Sequence, residues 1–188
     1  FNPEKAKRLL AEAGYPDGKG LPELTLTYNT YEGHRLIAEF FQQCLKRHLG
    51  IEVSINNMEW KSLLQSLHSG EFQLSRASWC ADFPDPENYL AVFHSEGENN
   101  YPGYSNSEFD ELIERLQKTG EQKERNRLTA KAEAILNRDL PLLPMYFYSR
   151  VYMLKDFVRG FEPDPMDHYR LHYLWFGQPG DPKPARGS

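Results

Sequence analysis

Cysteine is scarce in this chain of 188 residues, where only Cys44 and Cys80 occur. No C-x-x-C pair and no zinc-type spacing can be built from them, which removes thiolate metal sites and dithiol redox chemistry. Cys44 falls on the apolar side of a helical pattern and is expected to be a buried thiol. Long apolar runs are missing too, and none approaches the roughly 18 residues that a membrane-spanning helix needs. Positive charge is in deficit, with 22 Lys and Arg against 27 Asp and Glu, the signs interspersed and a net charge of −5. A nucleic-acid partner calls for a basic stripe, so none is expected. Catalytic signatures are absent as well: there is no G-x-S-x-G elbow, no P-loop and no G-x-G-x-x-G fingerprint.

Aromatic residues, by contrast, are plentiful. Eleven Tyr, 11 Phe and 3 Trp make up 13% of the chain, and Tyr and Trp serve binding surfaces as readily as cores. The chain opens at Phe1-Asn2-Pro3 without Met or a signal peptide, which reads as a fragment or a processed chain. Residues 177–188 are rich in Pro and Gly and are expected to form a disordered tail, with Gly187-Ser188 as an appended remnant.

Helical and alternating patterns take turns over the first eighty residues. Asn2 and Pro3 are an N-cap and a first-turn proline, Leu9, Leu10 and Ala13 form a stripe, and Gly14 stops the helix. Leu24, Leu26 and Tyr28 alternate as a strand. Leu36, Ile37, Phe40, Phe41, Cys44 and Leu45 recur at helical spacing from about Tyr31 to Leu49. Ile51, Val53 and Ile55 alternate again, Trp60, Leu63, Leu64 and Leu67 mark a short helix, and Phe72–Trp79 reads as a third strand. Helix–strand alternation of this kind specifies an α/β sheet with packed helices. Beyond it the pattern predicts a short helix over Glu87–Ser95, a polar loop to Ser105 and helices over Ser107–Lys118 and Glu121–Arg138. Met145–Leu154 reads as a strand, and Val158–Phe176 is irregular. No internal repeat or heptad pattern is present.

The segment from Leu74 to Pro86 holds the most chemistry. Arg76, Trp79 and Asp82 lie within seven residues, and Pro84 and Pro86 then break the chain. A strand that ends this way delivers polar groups to a sheet edge, where ligands of α/β sheets sit. A cation and a carboxylate fixed near each other suit a zwitterionic ligand. Each residue also has an ordinary structural reading: Trp60 and Trp79 as core packing, Arg76 as a structural ion pair, Asp82 as a turn or cap residue. Asp82, Asp85 and Glu87 lack the glycine and spacing of a calcium loop. A glycosidase pair would need one buried carboxyl with a raised pKa, and nothing marks one. His168 and His172 are spaced as H-x-x-x-H, but Tyr169, Arg170 and Leu171 between them lack the catalytic Glu, and the local pattern is strand-like. No metal and no cofactor is expected. On the residues alone, the chain reads as an α/β ligand-binding domain.

Several segments together resemble one family. Phe1–Tyr15 (FNPEKAKRLLAEAGY) is similar to a helix midway through the peptide-binding subunits of bacterial ABC importers. Trp79–Pro86 resembles their W-x-x-D-Y/F-x-D/E-P element. Tyr104–Ile113 resembles their Y-x-N-P-E-F-D-x-L-I element, with Ser107 where Pro is usual. Arg127, Ala132–Leu136 and Asp139–Tyr146 continue the likeness, and order and spacing match over about residues 1–175. Tyr28-Asn29-Thr30, Glu59-Trp60-Lys61, His68 and Arg76–Asp82 bring the chain nearest to the periplasmic oligopeptide-binding proteins of extracellular solute-binding protein family 5.

This resemblance implies an α/β fold, one lobe of a two-lobed periplasmic-binding-protein-like (type II) architecture. Residues 1–150 would be most of the C-terminal lobe, 151–176 a segment returning to the first lobe, and 177–188 the tail. It implies a non-enzymatic subunit that captures short oligopeptides in the periplasm, or as a cell-surface lipoprotein, and delivers them to a membrane permease. Asp82 would hold the peptide ammonium. Arg76 and His34 would serve the carboxylate side for peptides of different length. Trp60, Leu64 and Tyr148 would line side-chain pockets, with Ser78 and Trp79 beside them. Cys80 would correspond to a cysteine bonded to one upstream of this segment. Rival readings are a regulator's sensing domain, a murein-peptide or dipeptide binder, and an α/β hydrolase using Asp82 and Asp85.

Overall fold

The structure, a computed structural model, describes residues 1–149, 151–162, 164 and 168–178. The tail expected over 177–188 lies outside the described residues from 179 on. The chain divides into two compact units. The first comprises Phe1–Trp79 and Ser95–Ser105, and the second Cys80–His94 and Asn106–Ser188.

The first unit is built on three parallel strands in the order β2-β1-β3. β1 (Leu24–Asn29) is central. It pairs with β2 (Val53–Met58) from Leu24↔Val53 to Asn29↔Met58, and with β3 (Leu74–Ser75) at Leu26↔Leu74 and Thr27↔Ser75. α1 (Pro3–Glu12) precedes the sheet, capped by Asn2, whose Oδ1 accepts from the Lys5 N–H at 2.9 Å. α2 (Glu32–Leu49) links β1 to β2, and α3 (Trp60–Ser69) links β2 to β3. The first crossover runs outward from β1 to β2, and the second runs the opposite way, from β2 back past β1 to β3. With right-handed connections, α2 and α3 therefore cover opposite faces. Leu26, Tyr28, Ala38, Ile51 and Val53 form the core on one face, with Leu10, Phe41, Leu45, Ile55 and Leu74 packed around them. Cys44, expected to be buried, is half-buried.

The turn after α2 is stitched to the loop after α1. Gly50 ends α2 at φ 70°, a left-handed position, and a Cβ there would run into the Asp17 carbonyl. Gly18 has the reciprocal constraint, its Cβ position lying 2.6 Å from the Gly50 oxygen. Only glycine allows two backbones this close in these conformations.

Two strand expectations need correction. The third strand, expected over Phe72–Trp79, pairs only at Leu74–Ser75. Its entry is replaced by a side chain, because Gln73 Oε1 accepts from the Thr25 N–H at 2.7 Å where backbone pairing would continue. Its exit holds for one residue more, through the Arg76 N–H to the Thr27 carbonyl at 2.8 Å. Met145–Leu154, expected as a strand, has no strand pairing in its described residues. Aromatic and branched residues favour strands only where a partner edge is available. Here Phe147 and Met153 are almost wholly exposed instead.

The second unit is helical. α4 (Pro86–Leu90) runs into a 3-10 turn at Ala91–Phe93, shorter than the helix expected to Ser95. α5 (Ser107–Lys118) and α6 (Gln122–Asp139) match their periodicity closely. Phe109, Leu112, Ile113 and Leu116 from α5 and Leu128, Ala132, Ile135 and Leu136 from α6 are all buried. Asn106 caps α5, accepting from the Phe109 N–H at 3.1 Å, and its amide donates to Asp139 Oδ2 at 2.9 Å, tying the start of α5 to the end of α6. Farther along, β4 (Val158–Arg159) pairs antiparallel with β5 (Trp175–Phe176).

Candidate functional site

In the first unit, the expected site residues gather where the parallel strands end. His34 lies in the first turn of α2, five residues after the end of β1. Trp60 opens α3 directly after β2 and the Glu59 cap. Arg76 follows β3 by one residue. The carboxyl ends of strands flanking a reversal of strand order form a natural ligand crevice, and here that reversal is at β1. His34 Nδ1 is 2.8 Å from Asn29 Oδ1, and its ring meets Tyr31 edge-on at 4.8 Å. Burial and then the nearby positive charge of Arg76 push the His34 pKa down, against an opposing hydrogen bond from Asn29. His34 and Arg76 thus share one electrostatic neighbourhood. Arg76 Nη1 donates to Ser78 Oγ at 3.4 Å. Trp60 is about half exposed, Leu64 is half-buried beside the fully buried Leu63, and Trp79 is half-buried.

Asp82 and Tyr148 belong to the second unit. Tyr148 is 60% exposed and its ring lies 5.1 Å from that of Tyr146. Asp82 is exposed. Its backbone N–H donates to Asn88 Oδ1 at 3.2 Å, and its Oδ2 accepts from Asn88 Nδ2 at 3.4 Å. Among the described residues no cation pairs with Asp82, and its Oδ1 has no hydrogen-bond donor.

Asp85, three residues on, is engaged through Oδ1 by both a backbone donor and a cation. Its Oδ1 caps α4 by accepting from the Glu87 N–H at 2.9 Å and also accepts from Arg125 Nη2 at 2.7 Å. Burial resists ionisation of Asp85, but the Glu87 N–H and the Arg125 guanidinium outweigh it and hold the carboxyl below its ordinary pKa. Arg125 also donates to Glu87 Oε2 at 3.1 Å and, through Nη1, to the carbonyls of Leu116 and Thr119, both at 2.7 Å. An acid held ionised is the opposite of what a glycosidase's general acid requires. Asp85 is a structural residue.

The sequence reading passed over Asn88 and Arg125. Asn88 is nine-tenths buried, and a polar residue on the inner side of a helix begun by Asp-Pro was the available signal. Arg125 is not distinguishable by pattern from its exposed neighbour Arg127, which pairs with Glu124 on the same helix. Among the described residues, no group of three His, Cys, Asp or Glu is placed to hold a metal ion, and no helix is long and apolar enough to cross a membrane. His168 lies in irregular chain and His172 in a 3-10 turn, so they do not share an α-helical face.

The first unit is a parallel α/β sheet with His34, Trp60 and Arg76 beyond its strand ends, and the second unit carries the exposed Asp82 carboxylate. Residues 1–101 match the family described as bacterial extracellular solute-binding proteins, family 5 Middle, and the chain belongs to that family. It is 37% identical over 173 residues, 92% of its length, to the periplasmic oligopeptide-binding protein OppA of Salmonella typhimurium, of which it covers 32%. It is 35% identical over 173 residues, with the same two coverages, to the dipeptide-binding protein DppE of Bacillus subtilis. Among solved structures it resembles the periplasmic oligopeptide-binding protein OppAIV of Borrelia burgdorferi, with a TM-score of 0.85 and 36% identity over 94% of this chain and 36% of that one. The chain spans about a third of the length of these relatives. The α/β periplasmic-binding-protein fold expected from the sequence is the fold these structures share.

Proposed function

We propose that the chain contributes the terminus-recognising residues of a substrate-binding subunit that captures short oligopeptides outside the cytoplasm and hands them to the permease of an ABC importer. The observation that carries this reading is the contrast between Asp82 and Asp85. One carboxylate is paired with Arg125, and among the described residues the other has no cation. A peptide ammonium is charged at neutral pH, its pKa being near ~8, and supplies the missing cation. Arg76 and His34, at the strand ends of the other unit, are the candidates for the peptide carboxylate. A transporter of many sequences gains by gripping the termini that all peptides share. Trp60, Leu64, Trp79, Ser78 and Tyr148 are proposed to border side-chain pockets that tolerate water.

Residues 1–150 are proposed as part of one lobe of a two-lobed clamp, with 151–176 returning toward the other. A periplasmic location is proposed from relatives named as periplasmic, with attachment at the outer cell surface as the alternative. No step in this function is catalytic.

A second reading, a binder of dipeptides or murein peptides, draws on relatives so named at 35% and 33% identity. Peptide length separates the two. Calorimetric titration of the full-length protein with di-, tri- and pentapeptides should favour the longer ligands, and Arg76→Ala should weaken one length more than the others. Asp82→Ala should weaken every free-amino peptide by about 2–5 kcal/mol, the usual cost of truncating one partner of a desolvated charge pair. Equal affinity of Asp82→Ala and wild type would remove the ammonium site and the proposal with it.

A further inference from the structure

Among the described residues the Asp82 carboxylate is held from one side only, by a residue that the family likeness did not single out. The Asn88 amide forms a two-point clasp on Asp82, accepting from its backbone N–H at 3.2 Å and donating to its Oδ2 at 3.4 Å. The partners dictate the orientation of the amide, because a backbone N–H can only donate and a carboxylate can only accept. Asn88 is itself nine-tenths buried on α4. α4 is anchored at its start by Asp85 and Glu87, both bound to Arg125. Arg125 is in turn fixed to the end of α5 through the Leu116 and Thr119 carbonyls. The chain of contacts runs from the α5–α6 junction through Arg125 and α4 to Asn88, and ends on the carboxylate.

We propose that Asn88 is the positioning residue for the ligand-binding carboxylate: it fixes the rotamer of Asp82 so that Oδ1 faces the ligand ammonium, and Arg125 fixes the helix from which it acts. This rests on the reading of Asp82 as the ammonium site. An exposed Asp side chain would otherwise sample several rotamers, and ordering it on binding costs free energy. The clasp meets that cost before the ligand arrives. It also engages Oδ2 with a neutral donor, which leaves the net charge of the carboxylate uncompensated and Oδ1 without a donor among the described residues.

The test compares a free-amino tripeptide with its N-acetylated form in the full-length protein, because only the first presents an ammonium. The readout is the ratio of the two affinities for wild type, Asp82→Asn and Asn88→Leu, with thermal unfolding measured alongside. Asn88→Leu is expected to lower the ratio about tenfold while leaving the acetylated peptide within about twofold. A ratio unchanged by Asn88→Leu, with both peptides weakened together, would make Asn88 a purely structural residue and overturn the inference. A ratio that Asp82→Asn does not change would overturn the ammonium reading itself. A ratio that collapses in Asp82→Asn but not in Asn88→Leu removes only the positioning role. If Asn88→Leu does not fold, Asn88→Ser is read by the same two outcomes.

Discussion

Arg125 and Asp85 lie 2.7 Å apart across forty residues of sequence, with both side chains largely shielded from solvent. The pair joins the loop that carries Asp82 to the α5–α6 junction. Hydrogen bonds to charged groups contribute about 1.5–3 kcal/mol each, and Arg125 makes four of them across three elements. Arg125→Met should lower stability by roughly that amount or more, read as the shift in urea midpoint.

The same pair predicts an acid dependence. The folded pKa of Asp85 lies below its unfolded value of about 3.9. On acidification the unfolded chain takes up this proton first, so the contribution is complete above pH ~4 and is lost as pH falls through the lower folded value. Thermal unfolding followed between pH 5 and 2.5 should show this loss in wild type and a smaller one in Arg125→Met. Parallel curves would mean that the ion pair adds nothing to pH-dependent stability.

His34 should titrate below the ordinary histidine value of about 6.5. Its unfolded state binds the proton more readily, so its contribution to stability is present above pH ~6.5 and is lost as pH falls through the folded pKa. Arg76→Ala removes part of the cause and should move the midpoint upward in an NMR titration of the imidazole. A midpoint unmoved by Arg76→Ala would separate the two residues electrostatically and weaken their shared assignment to a ligand carboxylate.

Gly50→Ala tests the stitch between the α1 loop and the end of α2. The left-handed backbone costs an L-residue roughly 1–2 kcal/mol, and the new Cβ meets the Asp17 carbonyl. The loss should exceed 1 kcal/mol in equilibrium denaturation, whereas Gly70→Ala, with open space around its Cβ position, should show the backbone cost alone. Equal losses at the two sites would mean that the close approach relaxes without strain.

The 188-residue chain alone should bind mixed tripeptides no tighter than about millimolar, about 4 kcal/mol. Asp82 is exposed and Arg76 only half-buried; an ion pair in water contributes ~0–1 kcal/mol, and closure of a second lobe is what would desolvate them. A micromolar constant in calorimetry would show that the chain carries a complete site and that the clamp reading is wrong.

Periodicity made most of the fold legible. α2, α5 and α6 end within a residue or so of where their stripes and caps place them, because burial of one helix face is a local pattern with a long baseline. Strands were harder to read. Gln73 shortens β3 by substituting its side chain for a backbone partner, a choice that depends on Thr25, forty-eight residues away. Met145–Leu154 has the composition of a strand but no edge to join among the described residues. At the site, Asp82 stood out because it interrupts a pattern. Asn88 did not, because its role is set by a neighbour six residues back that the helix alone brings within reach. Arg125 differs from Arg127 only in the side of the helix it occupies.

The exposed aromatic run has a consequence for handling the polypeptide. Met145-Tyr146-Phe147-Tyr148-Ser149 carries no charge and no proline and has high strand propensity, the composition of segments that zip together between chains. Its ends in the sequence carry the residues that oppose such pairing, Pro144 before it and Arg150 after it. Five uncharged residues with Phe147 bare to solvent predict that this polypeptide associates as its concentration is raised. Light scattering should rise with concentration well below the unfolding midpoint, and a lysine in place of Phe147 should suppress it.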